Sequence, residues 1–433
     1  MAAALISIPL VSSKRLLAIS RTAFDRTVTF AMIGSRLGIF FLVFKVLRIE
    51  PRGDIPLYYI VQARYVLSHF IPYRDFFSAY APLHPYLDAG LLRIWNTQLS
   101  IMLFSVLVEL LVLFLWLRIG RIILAEKDLR LAALFYLASP ISLQYVAIDG
   151  QDNVVIAVLM AVSLLLILGR RELLSGLAFG VSICAIKFLP LLYVPGFFLC
   201  AARRWRWTAA ATAISALTYG VFLFHLHAPI LYQVEAEGEF HSSGDLPYLV
   251  SMVFGVQLPN RLWDLILLLV LLSIITLMAR AVWQQPMVVR ARAVSFGMAA
   301  LTLGFVLFSK KSWPAYLMMA LLPICLLPFA SLAGRPLGRM AAWMRITAFC
   351  LFEMVAVIEH SIWSTIFDLG SAVFLHRLLL SRNPLALVFL IFEVLLISGY
   401  IWLLWESIRQ IIAAPAYQSL PLVEIATASA VVS

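Results

Sequence analysis

Leu99 to Arg118 reads LSIMLFSVLVELLVLFLWLR, twenty residues in which Glu109 is the only charge before the closing Arg118. Wound as a helix at 1.5 Å per residue, the run is about 30 Å long, the thickness of a bilayer's hydrocarbon core. Comparable runs lie outward from it at 28–48, 131–148, 154–169, 173–186, 188–201, 208–225, 262–282, 293–309, 315–332, 345–360 and 385–406. Together they predict an all-α polytopic membrane protein, a bundle of about 12 transmembrane helices. The whole chain agrees. It has 433 residues, 63% hydrophobic and 13% charged, with a mean hydropathy of +0.98, where soluble domains are about 45–50% apolar and about 25% charged. That excludes an ordinary soluble enzyme. Met1 to Ser13 is apolar but too short to span, and its charges Lys14, Arg15, Arg21 and Arg26 follow it; no cleavable signal peptide is expected.

The charge of +11 separates by side. With the N-terminus in the cytoplasm, twenty of the 33 Lys and Arg fall in cytoplasmic segments, eleven outside and two within the first helix. Counting carboxylates too, the inner face carries +14 and the outer face −2. The basic balance is thus a topology signal of the positive-inside kind, and no nucleic acid partner is expected. Gly169-Arg170-Arg171 and Arg203-Arg204-Trp205-Arg206 both read as cytoplasmic. Residues 173–201 must then go out and return, either as two short helices with Lys187 at the tip or as one long kinked helix. Each short arm is about 21 Å long and ends at mid-membrane depth, as helices lining a buried cavity do.

The outer loops 49–98, 226–261 and 361–384 are long and rich in aromatics, proline, histidine and carboxylates. Asp54 sits just past the first span, at the boundary where a carboxylate is partly desolvated. Two readings are open there: a general base for a hydroxyl nucleophile, or an N-cap for the amphipathic run 55–69. The stretch Pro72 to Tyr86 includes Arg74, Asp75, Tyr80 and His84 among its rings. It suits a sugar or lipid head group, and equally the aromatic belt of a membrane interface.

Lys187, Lys310 and Lys311 run against the charge bias, each at the outer end of a helix. A lysine in a low-dielectric cavity is costly unless it meets an anion, so phosphate binding is expected, with snorkelling as the alternative. In Asp149-Gly150-Gln151-Asp152-Asn153, Gln151, Asp152 and Asn153 carry groups for sugar hydroxyls or a divalent cation, although a turn favours the same residues. Trp313 and His360 complete the expected binding set. His225, His227, Glu235, Glu237, Glu239, His241 and Asp245 lack helical metal-ligand spacing and read as a solvated loop. Glu109, Glu353 and Glu393 fall within spans, open between a proton relay and helix pairing. Cys184, Cys200, Cys325 and Cys350 show no ligand spacing either.

Taken in order, Asp54, the Pro72–Tyr86 stretch, Gln151-Asp152-Asn153, Ala185-Ile186-Lys187-Phe188-Leu189-Pro190 and Lys311-Ser312-Trp313-Pro314-Ala315-Tyr316 resemble the GT-C superfamily of polytopic glycosyltransferases. Within it the chain is similar to glycosyltransferase family 87 and, more distantly, to the catalytic subunit of GPI mannosyltransferase I. The resemblance covers about residues 28 to 332. It implies a GT-C-like bundle whose long outer loops carry amphipathic helices, transferring mannose or arabinofuranose from a polyprenyl-phosphate donor to a lipid or glycan acceptor on the outer face. It also implies that Asp54 is the base, that Lys187 faces the donor phosphate, and that the reaction is inverting. One departure is that Gly53 stands where many members have a second acid.

On this reading residues 1–27 form a cytoplasmic segment, 28–332 the catalytic transmembrane region with outer loops 49–98 and 226–261, 333–408 further helices, and 409–433 a cytoplasmic tail. No cofactor is expected and no metal ligands are assigned, a divalent cation not being indicated. The expected partners are the lipid-linked donor, the acceptor and membrane lipids. The expected location is a bacterial inner membrane, with the active site on its outer side. Two alternatives are a lipid-linked glycan ligase or polymerase, and a transporter or flippase; the latter predicts repeat symmetry, which the chain lacks.

Overall fold

The computed structural model describes residues 14–230, 241–329 and 339–419. Outside the described residues lie 1–13 of the expected cytoplasmic segment, 231–240 with Glu235, Glu237 and Glu239, 330–338 with Arg335, and 420–433 of the expected tail. Among the described residues the regular elements are helices, without a strand.

Among the described residues seven helices are long and apolar enough to cross a membrane: Arg21–Val46, Gln98–Ile123, Arg204–His225, Asn260–Val282, Met287–Phe308, Met340–Thr365 and Pro384–Ala416. The pair Glu126–Ala138 and Pro140–Ile148, bent by 40°, makes an eighth if it is counted as one span. The other four apolar runs form the shorter helices Asn153–Leu168, Glu172–Ala185, Leu189–Cys200 and Pro314–Leu326. The expectation of about 12 transmembrane helices is therefore corrected, among the described residues, to seven, or eight with the bent pair. Length is the reason. The longest of the four, Asn153–Leu168, has 16 residues and so reaches about 24 Å, short of the core's ~30 Å.

Two compact bodies make up the described chain. The first comprises 14–129 and 142–230. Its helices are α1 (Arg21–Phe41), α2 (Ile60–Leu67), α3 (His84–Ile94), α4 (Gln98–Ile123), α5 (Glu126–Ala138) as far as Leu129, α6 (Asn153–Leu168), α7 (Glu172–Ala185), α8 (Val194–Cys200) and α9 (Arg204–Gly220). Ser20 caps α1 and Thr97 caps α4 through side-chain oxygens, the residue types that satisfy free N–H groups at helix starts. Within α1 the fully buried Arg36 reaches Glu109 of α4 at 3.2 Å, and its Nη2 donates to Ser142 Oγ at 2.5 Å. Glu109 is thus a helix-pairing acid, as intramembrane carboxylates usually are.

Residues 173–201 are two pieces. Helix α7 ends at Ala185, and a tight turn at Leu189–Tyr193 leads into α8. Helices α7 and α9 approach closely over Gly176 and Gly180. A Cβ on Gly176 would lie 2.3 Å from the Trp207 carbonyl oxygen, and one on Gly180 2.6 Å from that of Ala211. This is the small-residue contact through which membrane helices associate. Four π-helical turns, Leu42–Val46, Ile55–Tyr59, Leu143–Ile148 and Val221–His225, lie among the described residues of the same body; such turns are rare and gather at functional sites.

The second body comprises 130–141, 241–329 and 339–419, with α10 (Leu246–Phe254), α11 (Asn260–Val282), α12 (Met287–Phe308), α13 (Leu321–Leu326), α14 (Arg339–Thr365), α15 (Ala372–Leu380) and α16 (Pro384–Ala413). Helix α12 is buried nearly all round. Asp245, expected in a solvated loop, is instead fully buried. It caps α10 by accepting from Tyr248 N at 2.8 Å, a contact that keeps it from water. Glu353 accepts from Ser139 and Glu393 from the Gly244 N–H at 3.0 Å, so these intramembrane acids too are engaged in pairing.

Candidate active site

The site grows from the loop before α6. Tight turns carry the chain through Asp149 and Gly150, and α6 then starts at Asn153. Three consecutive residues hold three different parts of the first body. Gln151 Nε2 donates to Asp54 Oδ2 at 3.2 Å. Asp152 accepts from Tyr59 OH at 3.2 Å and from His84 Nε2 at 2.5 Å. Asn153 Oδ1 accepts from Lys187 Nζ at 3.4 Å. The segment that follows α1, helix α3 and the tip of the short-helix pair are thereby gathered at the start of α6.

Asp54 is half-buried and makes no capping hydrogen bond to the turn Ile55–Tyr59 that follows it. Its N-cap reading is therefore corrected: a π-helical turn replaces the α-helical start, and the carboxylate faces Gln151. Asp149 lies within electrostatic range. Burial pushes its carboxyl up to about 6 and the charge of Asp54 adds to this, against the Gln144 hydrogen bond and the charge of Arg52. A second acid near Asp54 thus comes from a distant part of the chain, where the sequence offered only Gly53.

His84 opens α3 and is 1% exposed. Its Nε2 lies between Asp152 and, at 3.6 Å, Asp88 on the same helix. Tyr80 stacks on its ring at 4.5 Å and 22°, and Tyr59 meets it edge-on at 4.7 Å. Burial works to lower the imidazole's pKa, but the two carboxylates outweigh it and the net shift is upward, with Lys187 opposing. Burial likewise works to raise Asp152, yet His84, Lys187 and Tyr59 bring it below the usual carboxylate range. Asp88 is pushed up to about 7 by burial, with Asp152 adding and His84 opposing. Two acids around one histidine are therefore driven apart, one held ionised and one readily protonated.

The aromatic loop is pinned to the tip of the pair by its backbone. Ala81 N donates to the Ile186 carbonyl at 2.9 Å and Leu83 N to that of Cys184 at 3.0 Å. Lys187 Nζ consequently stands 5.6 Å from the centre of the Tyr80 ring, within cation–π range.

The structure thus brings together Asp54, Tyr80, His84, Gln151, Asp152, Asn153 and Lys187. Arg74 and Asp75, also in the first body, pair with each other at 2.8 and 2.9 Å. Asp75 also closes its turn by accepting from Ile71 N at 2.8 Å, and the hydrogen bond from Arg74 lowers its pKa. Lys310, Lys311, Trp313 and His360 belong to the second body. There Lys310 pairs with Asp264 at 3.2 Å, and Trp313 packs on His360 at 5.2 Å and on Trp363 at 5.6 Å. Tyr59 and Asp88 were not expected from the sequence. Asp88 had a signal, standing four residues after His84 on the same helix face; Tyr59 had none. Among the described residues, no group of three or more His, Cys, Asp and Glu side chains is arranged to hold a metal ion.

The profile of glycosyltransferase family 87 matches residues 79–309, just over half of the chain. The chain belongs to glycosyltransferase family 87. It is a membrane glycosyltransferase. The stretch matching family 87 contains Tyr80, His84, the Gln151-Asp152-Asn153 hub and Lys187. Asp54, Arg74 and Asp75 precede it, and Lys310, Lys311, Trp313 and His360 follow it. No curated protein matches the chain.

Proposed function

We propose that the protein transfers a sugar, mannose in the first instance, from a polyprenyl-phosphate donor to a hydroxyl of a lipid or glycan acceptor, on the outer face of a bacterial inner membrane. One observation carries this reading: Gln151 holds Asp54 and Asn153 holds Lys187. Their Cα atoms are two residues apart, at most about 7 Å along the chain. A carboxylate and an ammonium group are thus presented by one short backbone segment. Asp54 takes the proton of the acceptor hydroxyl as its oxygen attacks the anomeric carbon. The bond from that carbon to the phosphate oxygen breaks, and the charge developing on the phosphate is met by Lys187. Fixed charges aimed at a developing charge stabilise the transition state more than the ground state. Lys310 is engaged by Asp264, so the phosphate reading rests on Lys187. The reaction is proposed to need no cofactor.

Asp54→Asn tests the assignment. The amide oxygen of Asn still accepts from Gln151, so folding is retained, while the base is lost. Loss of general-base catalysis lowers turnover by about 10² to 10⁴ fold. The measurement is transfer of radiolabelled mannose from a short-chain polyprenyl-phosphate mannose in membranes bearing either protein. Turnover above a tenth of the parent's in a normally folded variant refutes the role given to Asp54.

A further inference from the structure

His84 touches neither Asp54 nor Lys187 by hydrogen bond, yet it sits under the segment that holds both. Its Nε2 contacts Asp152, the middle residue of the hub. Its ring is stacked on Tyr80, above which Lys187 is held. Its Nδ1 is buried without a hydrogen-bond partner, which is costly, while Asp88 Oδ2 faces Nε2 at 3.6 Å.

We propose that His84 is a positioning residue: clamped between Asp152 and Asp88, it sets the register of Gln151, Asp152 and Asn153 and so fixes Lys187 where a phosphate is received. The inference rests on the reading of Lys187 as the phosphate-binding group. The ionisable groups facing His84 are Asp88 on its own helix, Asp152 at the start of α6, Lys187 at the tip of the short pair, and Tyr59 and Tyr80 from the first outer loop. The carboxylates raise the imidazole's pKa. The clamp therefore holds while the imidazole is protonated and loosens as pH rises and it loses its charge. Asp152 then lacks its counter-charge, the hub shifts, and Asn153 no longer presents Lys187 in place. Misplacement by about 1 Å costs up to about 100-fold at such sites.

The test uses the full chain in detergent and farnesyl phosphate as the probe. Above pH 7.5 the probe is fully ionised, since the second phosphate pKa is about 6, and contributes no titration of its own. The parent is expected to lose affinity as pH is raised from 7 to 9.5. His84→Gln binds about tenfold more weakly at pH 7 and shows no further alkaline loss. Asp88→Asn, nearly isosteric, removes one raising carboxylate and moves the alkaline midpoint to lower pH. A merely structural role lowers the thermal midpoint of His84→Gln but leaves the alkaline loss in place. That result, or an unmoved midpoint in Asp88→Asn, overturns the proposal. Lys187→Met separates the two layers: if it binds as the parent does, the phosphate reading itself has failed, whereas weak binding by Lys187→Met with parental behaviour of His84→Gln rejects only the positioning role.

Discussion

Gly150 and Gly53 have nearly the same left-handed backbone, with φ of +63° and +65°, but very different surroundings. A Cβ on Gly53 meets nothing within 4 Å; one on Gly150 lies 2.4 Å from Ile55 Cδ1, 2.9 Å from Met102 Cγ and 3.4 Å from Met102 Cα. Ile55 and Met102 are both fully buried, so neither side chain has free space to retreat into. Replacing either glycine by alanine incurs the left-handed penalty of about 1–2 kcal/mol. Gly150→Ala incurs in addition the overpacking cost of a closed core, about 1–3 kcal/mol. The unfolded-state entropy gain of Gly→Ala is common to both and cancels in the comparison. Gly150→Ala is therefore expected to be less stable than Gly53→Ala by about 1–3 kcal/mol, measured by unfolding of both purified variants in graded SDS. Because Ile55 directly follows Asp54, Gly150→Ala should also lose transfer activity. Equal destabilisation of the two, within about 0.5 kcal/mol, refutes the packing described around the hub.

Two further outcomes follow from the charges. The folded protein favours protonated Asp88 up to about 7, so its contribution to stability is complete below about 4 and is lost as pH rises through 7. His84, raised in the fold, contributes below about 6.5 and is lost above its elevated value, whereas lowered Asp152 loses its contribution only in acid. The thermal midpoint is thus expected to fall as pH rises from about 4 through 7 and on above 6.5 as His84 loses its proton, and Asp88→Asn to remove the part of that fall below pH 7. In the membrane span, Glu109→Gln leaves the guanidinium of Arg36 without its counter-charge and should cost about 3–5 kcal/mol, while the double change Arg36→Met, Glu109→Met recovers most of it. The same SDS titration reads both, and a silent Glu109→Gln refutes the buried pair.

Much of the fold was legible because the free energy of crossing a membrane accumulates along a contiguous run of residues. The run 99–118 is a spanning helix, and all twelve apolar runs are at least partly helical. Which of them cross was less legible. Hydropathy alone cannot distinguish a helix that spans from one such as Glu172–Ala185 that is apolar because it packs against Trp207 and Ala211. At the site, the unusual polar residues of the long loops were visible for the same reason: a charge near a bilayer is costly and stands out. Lys187 and Asp54 stand out in this way and meet Asn153 and Gln151 at the start of α6; Lys310 and Arg74 stand out equally and meet Asp264 and Asp75.

By itself the sequence determined a polytopic membrane protein and picked out a set of polar residues that are costly near a bilayer. Only the tertiary structure decided which of those residues meet. The contacts of the hub join residues 97, 93, 68 and 34 positions apart. Closing loops of that length has an entropy cost that depends only weakly on local sequence. What repays it is packing between helices, glycine against backbone at Gly176 and Gly180 and an aromatic loop pinned to Cys184 and Ile186, and such packing exists only once the chain is folded.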